Sequence, residues 1–300
     1  MKRIIKIGVW GVTLLLMSAC GNRLPDYDAT GTFEATEVIV SAEASGKILQ
    51  LKVEEGTRLK MGEDAGLVDT VQLYLKKLQL EASMKSVESQ RPDLTKQIAA
   101  TKQQIATAQR EKRRVESLLA AGAANQKQLD DWEAQVALLE RQLVAQESSL
   151  RNSTNSLTEQ GNSVAIQIAQ VDDQLNKCHI LSPIDGTVLA KYAEAGELAT
   201  VGKPLFKVGE LDRMYLRAYI TSEQLSSVKL GDEVRVYADY GNSERKDYSG
   251  VVTWISDRSE FTPKTILTKN ERANLVYAVK IAVKNDGLLK IGMYGGVTFK

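Results

Sequence analysis

The chain is short of several residue types, and each shortage excludes something. Its 300 residues include two cysteines, one histidine and five prolines. Two cysteines cannot build a disulfide framework. The single histidine, His179, stands beside a strand and has no obvious carboxylate or nucleophile partner. No metal-ligand spacing, phosphate loop or nucleophile elbow occurs, so no catalytic residue, metal ligand or cofactor site is assigned. Charge of one sign is lacking too: the formal net charge is +1 with both signs interspersed, which argues against nucleic acid as the partner. Long apolar runs are scarce. The run Ile7 to Met17 falls short of the ~20 residues that a bilayer-spanning helix needs.

That run belongs to a targeting segment. Lys2, Arg3 and Lys6 precede it and Met17-Ser18-Ala19-Cys20 follows it, the layout of a signal peptide over residues 1–19. The ending resembles a bacterial lipobox, with Met17 where leucine is more usual. On that reading Cys20 is the lipidated mature N-terminus, and residues 20–30 are a polar tether to a membrane. Cys178 is then the one remaining thiol, and it reads as a buried structural residue ahead of an apolar strand.

Residues 72–176 are poorest of all in breakers. They hold one proline (Pro92), two glycines (Gly122, Gly161), two aromatics, and no cysteine or histidine. In their place runs a heptad pattern. Leu73, Leu80, Val87, Leu94, Thr101, Ala108 and Val115 lie seven apart, and so do Val136, Leu143, Leu150, Leu157, Val164 and Val171. This predicts two coiled-coil helices. Gly122 suits a helix C-terminus, and Asn125 with Gln128 makes a capping box, so an antiparallel hairpin with its tip near 121–125 is expected. Arms of about 50 residues give roughly 75 Å of reach. At Pro92, and across the polar run 152–163, the spacing predicts a kink or short interruption with the seam kept; a true break into two segments is the alternative. The basic residues Arg110, Lys112, Arg113 and Arg114 lie near the tip.

A second signal is an internal repeat. Gly46, Gly56 and Gly62 recur 140 residues later as Gly186, Gly196 and Gly202, with Val40, Ile48, Leu49 and Val68 matched by Ile180, Val188, Leu189 and Val208. We read these six glycines as turn positions of two short β units, neither large enough to make its own core. The economical solution is one small domain folded from residues 31–71 and 177–210, with a barrel strand allowed at 31–40 and the hairpin inserted between the halves. Residues 211–300 alternate as several short strands around one short helix at 222–228, which predicts a small antiparallel barrel. Phe261–Arg272 reads as a polar loop. The fold class is α+β.

This organisation resembles the HlyD-type periplasmic adaptors, or membrane fusion proteins, over residues 31–299. Ser182-Pro183-Ile184-Asp185-Gly186-Thr187-Val188 matches the family's SPxDGxV motif, and Ser45-Gly46 and Glu55-Gly56 carry the first half of a split lipoyl/biotinyl-like domain. The stretch from Glu260 to Tyr277 is similar to the subgroup that serves ABC-type exporters. The resemblance implies a non-enzymatic adaptor of a tripartite efflux or secretion system. Its partners would be an inner-membrane transporter, most simply an ABC permease, and a TolC-like outer-membrane channel. It also implies self-association into a ring and a periplasmic protein held at a membrane, the inner one, by its lipid. Arg114 and Leu118 match the family's tip motif, and Asn125 stands where serine is usual, so these three are the expected outer-channel contacts. Two other readings follow the same residues: an adaptor for a proton-driven pump, and a structural coiled-coil lipoprotein. A lipoyl carrier is disfavoured, because Val71 stands where the acceptor lysine would be.

Overall fold

The computed structural model describes residues 27–240, 245–260 and 275–299. The leader, Cys20 and the stretch read as the 261–272 loop lie outside these. The hairpin is present. Its first arm comprises α1 (Val71–Ser89) and α2 (Leu94–Ala120), and its second is one 52-residue helix, α3 (Gln126–Lys177). Pro92 interrupts the first arm over Gln90–Asp93 because it removes a donor and clashes with the preceding turn. Asp93 restarts the helix by accepting a hydrogen bond from the Lys96 backbone N–H at 3.2 Å.

The polar run 152–163 does not interrupt α3, contrary to expectation. Thr154 Oγ1 donates to the Leu150 carbonyl and Thr158 Oγ1 to the Thr154 carbonyl, both at 2.9 Å, so the hydroxyls are satisfied inside the helix. The heptad seam holds on both sides of the Pro92 interruption: Leu80, Ile98, Ile105 and Ala108 are buried on the first arm, and Leu139, Leu157 and Val171 on the second. Lys77–Asp172 at 2.7 Å and Lys112–Glu133 at 3.1 Å link the arms in one antiparallel register.

The two β units do fold into one domain. Its strands are β2 (Gly46–Leu51), β3 (Arg58–Leu59) and β4 (Asp64–Val68) from the first half, and β5 (His179–Leu181), β6 (Gly186–Lys191) and β7 (Leu198–Ala199) from the second. Every inter-half pairing is antiparallel: β2 with β7, β3 with β6, β4 with β5. One core draws on both halves, including Ile48, Val53 and Val68 with Ile180, Val188 and Phe206. The repeat is reproduced bond for bond. Gly56 N–H donates to the Val188 carbonyl at 2.8 Å and Gly196 N–H to the Ile48 carbonyl at 2.7 Å; Gly62 and Gly202 donate likewise to Ser182 and Ala42. All four have positive φ, between 78° and 97°. Gly46 and Gly186 differ from the expected turn role. They open β2 and β6, and are small because a Cβ would come within 2.9 Å of Val68 and 2.6 Å of the Gly209 carbonyl, respectively.

The barrel is closed by six strands: β1 (Ala29–Ser41), β12 (Tyr294–Thr298), β9 (Glu233–Asp239), β10 (Arg245–Ile255), β11 (Val276–Lys284) and β8 (Pro204–Thr221), with β8 returning to β1. The short helix α4 (Ser222–Leu225) is capped by Thr221 and Gln224 in a reciprocal box. Phe33, Leu216, Ile220, Val236 and Ile281 fill the barrel interior. β1 and β8 run through both domains, so the expected boundary near 210 falls inside a strand. Among the described residues no helix is long and apolar enough to cross a membrane.

Candidate functional site: the hairpin tip

The tip is a short turn with its backbone accounted for. Gly122, at φ 71°, ends α2. Its N–H donates to the Leu119 carbonyl at 2.9 Å, and Ala123 N–H reaches back to the Leu118 carbonyl at 2.8 Å, a Schellman arrangement. Asn125 then starts α3. Its Oδ1 accepts from Gln128 N–H at 2.9 Å, while Gln128 Oε1 accepts from Asn125 N–H at 3.1 Å. The turn is therefore capped at both helix ends by its own residues, and the Asn125 amide nitrogen makes no hydrogen bond among the described residues.

The structure brings Arg114 and Leu118 onto one face, a helical turn apart. The Arg114 side chain is 73% exposed and pairs with Glu111 at 3.5 Å. Leu118 is exposed to 39% while its carbonyl holds the turn. The basic cluster is not uniform. Lys112 is drawn across to Glu133 and along to Glu116, and the hydrogen bond it donates to Glu133 pushes its pKa up. Arg110 Nη2 donates to Thr107 Oγ1 at 3.2 Å. This leaves a cation, an apolar side chain and an uncommitted amide presented to solvent on a self-capped turn.

The other residues singled out lie far from the tip. His179 has a carboxylate after all, with Asp64 Oδ1 4.0 Å from its Nδ1; Asp64 is held below its ordinary value first by a hydrogen bond from Lys52. Cys178 is fully buried at the end of α3, donates to the Gln174 carbonyl at 3.3 Å, and has its thiol pKa pushed up by burial. Sequence reasoning missed a feature at the hairpin base. Val71, Tyr74, Leu75 and Leu78 are all exposed on the side of α1 opposite the seam. Their i, i+3, i+4, i+7 spacing was readable, but the heptad on the other face of the same helix masked it.

No family model matches the chain. A UPF0194 membrane protein of Yersinia enterocolitica, YE2891, is 27% identical over 98% of both chains. Another, YPTB1212 of Yersinia pseudotuberculosis, is 36% identical over 40% of this chain and 36% of its own. Among solved structures, MacA from Actinobacillus actinomycetemcomitans aligns over 90% of this chain and 76% of its own, with TM-score 0.56 and 21% identity. The fold is that of the membrane fusion proteins. A MacA–MexA chimera carrying the Pseudomonas aeruginosa MexA α-hairpin aligns over 91% of this chain and 80% of its own, at TM-score 0.50 and 23% identity. The membrane fusion protein fold thus spans hairpin, split β domain and barrel together.

Proposed function

We propose that the chain is a non-enzymatic periplasmic adaptor of a tripartite efflux or secretion system, joining an inner-membrane transporter of the ABC type to a TolC-like outer-membrane channel. One observation carries this reading. A single 52-residue helix, about 78 Å long, is braced by a second arm and ends in a self-capped turn that presents Arg114, Leu118 and Asn125. Such a device transmits position and holds contact at a distance. The lipid on Cys20 would keep the barrel near the inner membrane while the tip reaches outward. Self-association belongs to the same reading, because one hairpin encloses no channel, and the apolar stripe on α1 offers a surface for a second copy.

The test is in-cell crosslinking from a photoreactive residue at position 118, with mass spectrometry of what is captured. Capture of an outer-membrane channel protein is the expected result. Capture of other copies of the chain alone would remove the outer-channel contact from the reading.

A further inference from the structure

β1 and β8 are the only described elements that enter both cores. Phe33 of β1 and Met214 of β8 lie in the barrel, Val40 and Phe206 in the split β domain. Between the domains their pairing slips. Glu34 pairs with Tyr215 and Thr36 with Glu210, so Ala35 alone spans the four residues Leu211–Met214. Other strands cover only the barrel end of this gap and leave Leu211 and Asp212 without a further partner strand. β6 leaves β8 at Gly209, and β11 joins it at Arg213. From Glu210 to Asp212 the junction is a two-stranded ribbon that carries the start of a large bulge, a geometry that bends.

Asn285, just past the end of β11, ties this bulge to the barrel. Its Nδ2 donates to the Leu211 carbonyl at 2.8 Å and to the Leu289 carbonyl at 3.2 Å. Its backbone N–H donates to the Asp212 carbonyl at 2.9 Å. Its Oδ1 accepts from Gly287 N–H at 2.9 Å and Leu289 N–H at 3.0 Å. Leu289 is buried in the barrel, so the side chain is anchored on the side from which it reaches out. From the other domain, Arg58 reaches the same bulge with an exposed 3.5 Å pair to Asp212. The two attachments are unequal: the bulge is fixed to the barrel and loosely held by the hairpin-bearing domain.

We propose that Leu211–Asp212 is a hinge between the barrel and the hairpin-bearing domain, and that Asn285 is the positioning residue that latches it at one angle. The side-chain amide gives the donor that the missing β-ladder would have given to Leu211. A carboxylate at 285 keeps the two bonds accepted from Gly287 and Leu289 but cannot donate to Leu211, and it sets two acceptors against each other. Asn285→Asp therefore releases the hinge and preserves the loop.

The experiment measures electron–electron distances in the full chain between spin labels on genetically encoded amino acids at positions 163, on α3, and 233, on β9; both native cysteines stay in place. The wild type should give one narrow distribution. Asn285→Asp should broaden it about twofold or shift its centre, with circular dichroism unchanged. An unchanged distribution in a folded variant overturns the latch. Should Asn285→Asp fail to fold, native-state hydrogen exchange of the wild type decides. The Asn285 amide, bonded to the hinge at Asp212, should exchange about tenfold or more faster than the Ile281 amide in the barrel. Exchange of the two at one rate means that the junction opens only when the barrel unfolds, and there is no hinge.

Discussion

At the scale of single residues, the seam contains a site that can be improved. Gly161 is buried on α3 in line with Leu157 and Val171, yet a Cβ placed there meets nothing within 4 Å. Gly161→Ala should stabilise the hairpin by about 0.5–1 kcal/mol, because glycine loses more backbone entropy than alanine in a helix. A rise in the thermal midpoint followed at 222 nm is the check; a fall would place the position in tighter packing than described. Tyr248 makes an opposite kind of prediction. Its phenol is buried, bonded to Tyr240 at 2.7 Å and donating to Asp286 at 3.2 Å. Burial first, then Tyr240, pushes its pKa well above the ordinary 10.0. A folded-state value above the unfolded one gives stability that is complete below about pH 10 and lost as pH rises beyond it. Urea midpoints across that range should fall more steeply for wild type than for Tyr248→Phe. Which residues were legible follows from the range of their partners. Gly122 and Asn125 act on neighbours within a few positions, so the tip could be read directly. Asn285 reaches a carbonyl 74 residues away, and nothing local announces it.

At the scale of elements, the seam is the testable unit. Leu139 is buried against Ile105, Ala108 and Trp132. Leu139→Asp puts a carboxylate there and should cost several kcal/mol, melting the distal hairpin before the β domains. A single transition at the wild-type temperature would remove Leu139 from the seam. The helices were legible because a heptad sustained over many turns is hard to imitate. The flanking β domain was legible through its repeated glycines, although β3 and β7, two residues each, are too short to carry a pattern. The course of β1 and β8 was not legible. In both domains these strands alternate with the same period of two, so periodicity alone could not show that one strand serves two cores. The continuity of α3 through 152–163 was missed for a related reason: a threonine that bonds back to its own helix looks, in sequence, like one that ends it.

At the scale of the whole molecule, the exposed stripe on α1 matters more than its four residues suggest. A helix apolar on two faces expects cover on both, and α3 supplies one. Leu75, half exposed and away from the seam, can change without disturbing the hairpin. Leu75→Glu should weaken self-association about tenfold or more, read by sedimentation velocity, with the melting temperature unchanged, since a charge there would have to be desolvated on contact. Undiminished association would move the contact elsewhere.

The hairpin leaves and rejoins the β domain at one place. β4 and β5 are paired neighbours, and the Val68 N–H donates to the Cys178 carbonyl at 2.9 Å where the two arms begin. The closure is complete below the helices and indifferent to their length. Adding or deleting one matched heptad in each arm would alter the span by about 10 Å while leaving every β pairing untouched. The molecule is built like an adjustable probe on a fixed mount, so the reach of the hairpin can be retuned over evolution without rebuilding either end.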